Sequence, residues 1–551
     1  MSAPTATNTD DPRFAVAFPT LTDEEIAGFQ AHGETVKIAA GEDVWTAGDR
    51  DMCMYVIVSG EMSILDQQSG ELIAVHPRGA FSGDIDIMSG RAVVVTGHAT
   101  TDLEVVRVSP SCVRTIVGTM PALGNRILSA FLMRRSLLQD SNRFGLKIIG
   151  SRYSPDTLRI REFLNRNRLP FGWDDLEDQA DLDVFLQAFD ICEGQTPLVI
   201  LPTGERLEVP SNLELAQKLG ISRPIQSELY DLVVIGAGPA GLAAGVYGAS
   251  EGLKTLVIDA SGPGGQAGTS ARIENYMGFP TGVSGQELAD RAVVQAERFG
   301  AEVMVPATVK DVTCNQLGGH FIALEGQGEL ETRCVILATG ATYRKLEVPG
   351  MERFEGRGIY YACTNIERML CKDSTVGVVG AGNSAGQAAV FLAEQSKHVL
   401  LVVRGADLRK TMSSYLATRI EQSDKITVLL GSEICQMEGD SFLSSVTIRE
   451  RESGQARTEE IAGVFVMIGA DPRTGWLPET IQCDPKGFVL TGQSVVKAGK
   501  WQKDRPPFHL ETSCPGVFAA GDIRSDSVKR VASAVGEGSM SVAFVHQYLA
   551  L

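Results

Sequence analysis

A glycine-rich turn near the middle of the chain constrains its fold more than any other sequence feature. An apolar run at 232–235 leads directly into Gly236-x-Gly238-x-x-Gly241, with Pro239 and Ala240 before the last glycine. In a strand–turn–helix unit the first glycine permits the tight turn, and the second lets backbone N–H groups approach a pyrophosphate. The third lets the helix pack on the strand, with the pyrophosphate at the positive end of the helix. The pattern predicts a Rossmann-like dinucleotide-binding unit.

The same pattern recurs farther along the chain, after a second apolar run. Here Gly380, Gly382 and Ala385 occupy the three small positions, with Asn383 and Ser384 between them. One such motif can arise from a structural glycine turn, but two motifs, each with a suitable second strand, favour nucleotide binding. The sequence therefore predicts two dinucleotide-binding α/β units in one chain.

The residue that ends each second strand distinguishes the two units. The run at 255–258 ends in Asp259, 23 residues after Gly236 (259 − 236 = 23), where a carboxylate can accept hydrogen bonds from ribose hydroxyls. In the second unit the corresponding run ends in Arg404, and Arg409 follows closely. Loss of the acid and gain of cations suit a ribose 2′-phosphate, so this site is predicted to prefer NADPH to NADH.

Composition excludes several classes of function. The net charge of −18 disfavours nucleic acid and anionic membranes as partners, because both are polyanions. The uncharged stretch at 232–250 is explained by the predicted strand and helix, and the N-terminus lacks the pattern of a secretory signal. The ten cysteines include no Cys-x-x-Cys and no Cys/His cluster with zinc spacing. We therefore expect reduced, mostly buried cysteines, no metal, and a cytoplasmic protein.

Two further domains are predicted before the nucleotide-binding units. Residues 1–143 alternate short β-type runs with turns, and apolar residues at 123–138 recur at helical intervals, which predicts a β-roll closed by a helix. Residues 146–222 show a βαβ–α–ββα order, which predicts a small α/β domain. Its helices are expected at 156–167, around 182–189 and at 212–219.

Residues 228–551 resemble low-molecular-weight thioredoxin reductases along their whole length. Besides the two turns, the resemblance rests on Gly264-Gly265-Gln266, Ile273-Glu274-Asn275-Tyr276, Ala338-Thr339-Gly340, the Pro-Gly-Val-Phe-Ala-Ala-Gly-Asp run at 515–522, and Lys529-Arg530-Val531-Ala532. It implies an FAD-binding domain over 228–345 and 479–551, interrupted by an NADPH-binding domain over 346–478.

The resemblance also implies the roles of individual residues. Gln266 and Asn275 would contact FAD, Asp522 would bond the ribitol, and Val309 would lie near the adenine. Backbone at 530–532 would reach the isoalloxazine. The implied FAD residues are Gly236, Gly238, Pro239, Ala240, Gly241, Asp259, Gly265, Gln266, Asn275, Val309, Thr339, Gly340, Gly521, Asp522, Arg530, Val531 and Ala532. The implied NADP residues are Gly380, Gly382, Asn383, Ser384, Ala385, Arg404 and Arg409.

The chain departs from this family at the redox dithiol. Ala362 and Asn365 stand where the two cysteines belong, and Cys363 lies between them without a partner at the family spacing. Cys371, eight residues beyond Cys363, is the alternative partner, although small buried hydrophobes are the simpler interpretation of both. Thiol–disulfide exchange needs an attacking thiolate and a resolving thiol. The usual dithiol route from flavin to thioredoxin is therefore predicted to be missing.

The N-terminal roll resembles the cyclic-nucleotide-binding domains of bacterial transcription regulators. Gly83, Asp84 and Arg91 would be the counterparts of that family's phosphate-binding cassette, in which an arginine meets a cyclic phosphate. The cassette is about two residues short, and Asp replaces Glu. A sensor for another anion and a purely structural or dimerising roll are the alternatives. No helix-turn-helix follows the roll.

Residues 146–222 resemble a glutaredoxin- or thioredoxin-like domain. Thr196-Pro197 matches the family's cis-proline position, but the active-site turn is Ser151-Arg152-Tyr153-Ser154 and contains no cysteine. Such a domain cannot perform dithiol chemistry, so a docking module or a simple spacer is expected.

These observations predict a multidomain FAD-dependent NADPH oxidoreductase of the thioredoxin-reductase type. Hydride would pass from NADPH to FAD and on to an unknown acceptor, which could be a thioredoxin-like protein, another redox protein or a small molecule. One alternative is a ferredoxin/flavodoxin–NADP reductase-like or quinone reductase, although no C-terminal extension follows the last predicted helix to cover the flavin. Another is a flavin redox sensor regulated through the roll. The family resemblance suggests a homodimer.

Overall fold

The computed structural model describes residues 11–50, 52–66, 70–84, 87, 91–93, 95–140, 146–178, 192–222, 229–270, 272–315, 319–355, 357–361, 363, 368–369, 371–440 and 442–551. The chain divides into two compact units. The N-terminal unit comprises residues 1–224 and 297–299, and the C-terminal unit comprises 225–296 and 300–551. Among the described residues, no helix combines the length and the apolar character needed to cross a bilayer.

The N-terminal unit begins with the predicted β-roll. Its elements are α1 (Arg13–Ala17), α2 (Asp23–Gln30), β1 (Glu34–Ile38), β2 (Asp43–Trp45), β3 (Met54–Ser59), β4 (Met62–Leu65), β5 (Leu72–His76), β6 (Thr96–Ala99), β7 (Leu103–Val108), α3 (Pro110–Thr119) and α4 (Pro121–Asp140). The strands form two antiparallel sheets, in the orders β1-β7-β3 and β2-β6-β4-β5. Buried Phe81 and Phe131 meet edge to face with centroids 6.1 Å apart, so α4 packs against the roll.

A small α/β domain follows in the same unit. Its elements are β8 (Lys147–Ile149), α5 (Pro155–Arg166), β9 (Gly172–Asp174), β10 (Leu198–Ile200), β11 (Arg206–Glu208) and α6 (Asn212–Lys218). The sheet order is β11-β10-β8-β9, with β8 parallel to β9 and β10 antiparallel to both of its neighbours. The Thr196–Pro197 peptide bond is cis. The predicted helices at 156–167 and 212–219 are present, whereas the one around 182–189 lies outside the described residues.

The C-terminal unit contains the two predicted nucleotide-binding folds. Its first elements are β12 (Leu229–Ile235), α7 (Pro239–Ser250), β13 (Thr255–Ile258), α8 (Gly285–Arg298), β14 (Glu302–Met304), β15 (Val309–Cys314), β16 (His320–Leu324), β17 (Gly328–Leu337) and β18 (Ala341–Tyr343). Then follow β19 (Ile359–Tyr360), β20 (Thr375–Val379), α9 (Asn383–Ala393), β21 (His398–Val402), α10 (Ser414–Glu421), β22 (Ile426–Leu429), β23 (Ser432–Glu438), β24 (Ser445–Glu450), β25 (Ala456–Glu460) and β26 (Gly463–Val466). The last are β27 (Ala470–Pro472), α11 (Gln493–Lys497), β28 (Val517–Ala519) and α12 (Val531–Leu549).

One sheet in this unit is interrupted in sequence by another. Seven strands form the first sheet, in the order β14-β13-β12-β17-β16-β15 with β28 paired to β17. Five parallel strands form the second, in the order β19-β26-β20-β21-β22. Because β28 returns to the first sheet after the second is complete, the two folds are nested as predicted. The antiparallel pair of β18 and β27 joins them.

Candidate functional site

The first glycine turn follows β12 and depends on the absence of side chains. Gly236 has φ of +108°, and a Cβ there would lie 2.3 Å from the Ala338 carbonyl oxygen. A Cβ on Gly241 would lie only 1.7 Å from the Gly236 carbonyl oxygen. The helix can therefore pack on its own turn only with glycine at both positions. Helix α7 begins at Pro239, with Gly238 as an N-cap that carries no side chain.

A second glycine loop faces this turn. Gly265 has φ of +54°, and a Cβ on it would lie 2.9 Å from the Cα of Gly238. A Cβ on Gly238 itself would meet nothing closer than the Cα of Gly265, at 3.8 Å. The backbone N–H groups at the start of α7 thus face space that a side chain would fill, which is what a pyrophosphate requires. These residues fit a dinucleotide.

Asp259 forms hydrogen bonds to both the first glycine turn and the loop that follows β13. Its Oδ2 accepts a hydrogen bond from the Ala237 N–H at 2.9 Å. Its Oδ1 accepts from the N–H groups of Ser261, at 2.9 Å, and Gly262, at 3.0 Å. The carboxylate therefore orders the loop backbone, a role in addition to the ribose contact that the sequence predicts.

The remaining predicted FAD residues of the first half have separate surroundings. Thr339 and Gly340 follow β17, where the Thr339 hydroxyl donates to the Arg473 carbonyl at 3.3 Å and Gly340 has φ of +67°. The Gln266 amide donates to the Ala341 carbonyl. Asn275 is exposed, and Val309 is the half-buried first residue of β15. Their contacts with a flavin remain predictions.

The C-terminal part of the predicted FAD site is centred on Gly521 and Asp522. Gly521 has φ of +78°. Burial raises the pKa of the Asp522 carboxyl, and the positive charge of Lys529 opposes that rise. The Lys529 ammonium donates to the Asp522 carbonyl at 2.5 Å, and burial lowers its pKa. Arg530 is the N-cap of α12 but does not cap it with its side chain, so the N–H groups of Val531 and Ala532 begin an uncapped helix.

Glu537 supports this region and was missed by the sequence analysis. Its Oε2 accepts from the Gly521 N–H at 2.7 Å, and its Oε1 pairs with Arg524. The Glu537 carboxylate is buried and belongs to α12. The next residue, Gly538, lies so close to α7 that a Cβ on it would be 2.0 Å from the Ala240 carbonyl oxygen. A lone acid in an otherwise apolar helix was the signal that could have identified it.

The second glycine turn repeats the first at the end of β20. Gly380 has φ of +144°, and a Cβ there would lie 2.3 Å from the Met467 carbonyl oxygen. A Cβ on Gly382 would meet nothing within 4 Å. Helix α9 begins at Asn383, whose Oδ1 accepts from the Ser413 N–H at 2.7 Å. This turn also fits a pyrophosphate, because the space over Gly382 is open.

The two arginines predicted to bind the 2′-phosphate each lie beside a different glutamate. The Nε of Arg404 is 3.7 Å from an oxygen of Glu433, and Arg409 pairs with Glu421 at 2.5 Å. Both arginines are largely exposed. Glu433 also meets Arg449 at 2.6 Å and a further arginine, and the hydrogen bond from Arg449 holds its pKa below the usual value. This basic cluster lies on strands far along the chain, and the sequence analysis did not identify it.

Cys363 lies at a cleft between the two nucleotide-binding folds. It is buried, and its backbone forms a bridge with Ser270. Ser384 of the second turn and Arg419 of α10 line the same cleft. On one side Arg419 pairs with Glu274, three ångströms away. Cys363 is thus a cysteine that lines the cleft between the two folds.

Cys371 belongs to the same apolar cluster as Cys363 but is buried more completely. It is buried within the apolar core of the parallel sheet, and a Cβ on Gly463 would lie 3.0 Å from its sulfur. Its surroundings match the predicted role of a small core hydrophobe. Ala362 and Asn365 lie outside the described residues.

The predicted ligand residues of the roll are engaged within the N-terminal unit. Arg91 is buried and donates to the Asn167 carbonyl of the small α/β domain at 2.8 Å. Asp84 pairs with Arg135 of α4 at 2.5 Å. Gly83 has φ of +97°, and its carbonyl accepts from Arg134 at 2.7 Å. These contacts give all three residues structural roles.

The turn at 151–154 of the small α/β domain, where the sequence resemblance predicts a lost dithiol, is also occupied by polar contacts. The Ser151 hydroxyl donates to Glu177 at 2.5 Å, and Arg152 pairs with Asp175 and Asp178. Ser154 caps α5 by accepting from the Thr157 N–H at 3.4 Å. The serines therefore stabilise the fold.

The turn at 236–241 with Gly265, called the first cradle, and the turn at 380–385, called the second cradle, each fit a dinucleotide. Two such cradles nested in one α/β unit define a nucleotide-dependent oxidoreductase. The chain belongs to the pyridine nucleotide-disulphide oxidoreductase family, whose profile matches residues 230–538. The cyclic nucleotide-binding domain profile matches residues 35–119. Members of the thioredoxin reductase group within this family use FAD and NADPH.

Thioredoxin reductases are prominent among the similar proteins. The thioredoxin reductase of Mycolicibacterium smegmatis is 34% identical over 324 residues, which cover 58% of this chain and 97% of that protein. The bifunctional thioredoxin reductase/thioredoxin of Mycobacterium leprae is 33% identical over 325 residues, with 58% and 66% covered. The solved thioredoxin reductase of T. acidophilum superposes with a TM-score of 0.53 at 27% identity, covering 59% of this chain and all of that one. That of Lactococcus lactis gives 0.52 at 28%, covering 58% and 99%.

Proposed function

We propose that the chain is an FAD-dependent NADPH oxidoreductase of the thioredoxin-reductase type that delivers electrons without the family's dithiol. The observation that carries this proposal is the pair of glycine cradles in one unit, together with a cleft that Ser270, Cys363 and Ser384 line. The residues at the two family cysteine positions, 362 and 365, are Ala and Asn. The geometry of the glycine turns thus supports cofactor binding. The missing cysteines in the sequence support electron transfer by a route other than the family's dithiol.

FAD would be held by the first cradle and by the segments that converge on it. Backbone N–H groups at Gly238 and Gly265 would meet the pyrophosphate, and the start of α12 would lie at the flavin end. When bound, FAD supplies the hydride acceptor of the reaction. The Asp522 carboxyl is partly buried and feels the positive charge of Lys529. We propose that it accepts a hydrogen bond from a ribitol hydroxyl.

NADPH would be held by the second cradle. The first turn of α9 would receive the pyrophosphate, with Asn383 kept in place by its bond to the Ser413 backbone. Arg404 and Arg409 would meet the 2′-phosphate. Each arginine is mostly exposed and paired with an acid, so a phosphate would compete with Glu433 and Glu421 for them.

Cys363 is not positioned for dithiol exchange with a neighbour in sequence, since that chemistry needs a resolving thiol at the family spacing. We propose that electrons leave to a redox protein or a small acceptor that reaches the flavin directly. A thioredoxin-like partner, a homodimeric assembly and a cytoplasmic location belong to the same proposal, and the names of the related thioredoxin reductases support the first of these.

Stopped-flow reduction of the purified yellow protein by NADPH tests this function. Fast reduction followed by fast reoxidation with one acceptor from a panel of thioredoxin, ferredoxin, flavodoxin, a quinone and a low-molecular-weight disulfide would support it. Reduction that persists with every acceptor would indicate a redox sensor instead. A colourless protein that takes up no FAD would refute both.

The variant Cys363→Ser separates the possible routes for electrons. Direct transfer from flavin predicts that turnover with the chosen acceptor is retained. Loss of turnover with unchanged reduction by NADPH would assign the cysteine to the electron path. Cys435→Ser, which changes a half-buried cysteine on β23, is the matched control.

A further inference from the structure

The C-terminal unit contains a cluster of sulfur and nitrogen ligands that the proposed oxidoreductase chemistry does not use. One ligand atom each from Cys314, His320 and Cys514 lies within 4.8 Å of the other two. His320 and Cys514 are buried, and Cys314 is half-buried. Two thiols and one imidazole form a donor set typical of thiophilic d10 cations.

Strand register brings the first two of these residues together. Cys314 ends β15 and is paired directly with His320, the first residue of β16. Directly paired residues on neighbouring antiparallel strands point to the same face of a sheet. Their sequence separation is six residues (320 − 314 = 6), so the hairpin alone fixes two of the three ligands.

Cys514 comes from a distant part of the chain and is held in place by its backbone. Its N–H donates to the Thr512 hydroxyl at 3.1 Å, and that hydroxyl donates to the Cys514 carbonyl at 3.2 Å. Gly516 follows with φ of +78°, and a Cβ there would lie 2.9 Å from the Nε2 of His320. Glycine therefore lets this segment pass close to the imidazole.

The imidazole of His320 is the second, independent indication of a ligand. Its relative exposure is 0%, neither Nδ1 nor Nε2 makes a hydrogen bond of good geometry among the described residues, and the thiol of Cys314 interacts with the ring. A buried polar group without a partner is costly, whereas a cation bound to one ring nitrogen would satisfy it.

We propose that Cys314, His320 and Cys514 bind a thiophilic d10 metal ion, with Zn²⁺ as the representative cation. Zinc–ligand bonds of about 2.0–2.3 Å place neighbouring ligand atoms roughly 3.8 Å apart, so a contraction of less than about 1 Å would complete the site. Three protein ligands leave one coordination position for water or another oxygen. Binding would release the protons of both thiols and join the β15–β16 hairpin to the segment before β28.

Metal binding is measured directly on the full-length, FAD-loaded protein. The chain is reduced, stripped with a chelator, given one equivalent of Zn²⁺ under anaerobic conditions, and desalted. Inductively coupled plasma mass spectrometry should find one zinc per chain. A competing zinc indicator should report an affinity at least tenfold weaker in Cys314→Ser, His320→Asn and Cys514→Ser. Zinc should also raise the melting temperature of the wild type and leave those of the variants unchanged.

Controls distinguish a true site from misfolding. Cys483→Ser changes a half-buried cysteine that packs on the same core and should keep its zinc. Cys314→Ser is the mildest variant, because its side chain is partly exposed, and its flavin spectrum should match that of the wild type. Failure of the folded wild type to retain zinc would overturn the proposal. So would zinc retention in all three variants, or a Cys314–Cys514 disulfide in anaerobically isolated protein.

Discussion

Replacing Gly382 with alanine should damage NADPH binding while sparing the fold. The position has φ of −88° and ψ of 178°, which alanine adopts without strain, and a Cβ would meet nothing within 4 Å. Alanine restricts the unfolded chain, which stabilises the fold by about 0.4–1 kcal/mol. It is also a poorer N-cap than glycine, by roughly 0.5–1 kcal/mol. The two effects oppose each other, so the free energy of unfolding should change by less than about 1 kcal/mol.

The binding penalty is expected to be larger. The methyl group would occupy the space over the first turn of α9 that the pyrophosphate needs. Overpacking of a fitted contact typically costs about 1–3 kcal/mol. The KM for NADPH should therefore rise by about 5- to 150-fold, since 1.4 kcal/mol corresponds to a factor of ten. The content of bound FAD should not change, because the first cradle is untouched.

Two matched variants give this experiment its contrast. Gly380→Ala would place a Cβ 2.3 Å from the Met467 carbonyl oxygen at φ of +144°, so it should lower stability in urea unfolding. Gly475→Ala also has open space around its Cβ but lies outside the turn, and it should leave the KM unchanged. If Gly382→Ala kept the wild-type KM with full flavin content, the assignment of this turn to NADPH would be refuted.

Three further predictions concern charge. Arg404→Ala with Arg409→Ala should raise the KM for NADPH about tenfold or more and spare NADH in steady-state assays, because charge-assisted hydrogen bonds to the 2′-phosphate are lost; equal effects on both nucleotides would contradict this role. Glu537→Ala should lower the free energy of unfolding by about 3 kcal/mol in urea titrations, since the half-buried Arg524 would lose its partner, whereas Glu537→Gln should cost less. Burial lowers the pKa of His76 to about 3 in the folded protein, from an ordinary value of 6.5. Between these two pH values the unfolded chain protonates His76 and the folded chain does not, so acid favours unfolding. Stability measured by thermal unfolding should decline across that range, and His76→Phe should flatten the decline; an unchanged pH profile would count against the buried neutral imidazole.

Both nucleotide folds could be predicted because their determinants are local. The positive φ angles of Gly236 and Gly380, and the close backbone approach at Gly241, are requirements on single residues within one turn. An apolar run before each turn and a helix after it complete the unit within about 30 residues. The closing helix of the roll was predicted for the same reason, since its apolar period lies within one segment.

Other features depended on contacts between distant segments. Arg91 and Asp84 are predicted ligand residues, and only the tertiary structure shows that Arg91 contacts the Asn167 carbonyl and Asp84 contacts Arg135. Glu433 gained its arginines from strands that lie next to it only in the folded sheet. Side-chain partners of this kind follow from strand order, which the local pattern does not encode.

The contrast is sharpest at the cysteines. The sequence alone established that no two of them have dithiol or zinc spacing, and it therefore predicted no metal. Cys314 and Cys514 are 200 residues apart (514 − 314 = 200), and only the return of β28 to the first sheet brings the second one beside His320. Backbone turns are determined by neighbouring residues, whereas a cluster of three side chains is determined by how the sheet is threaded.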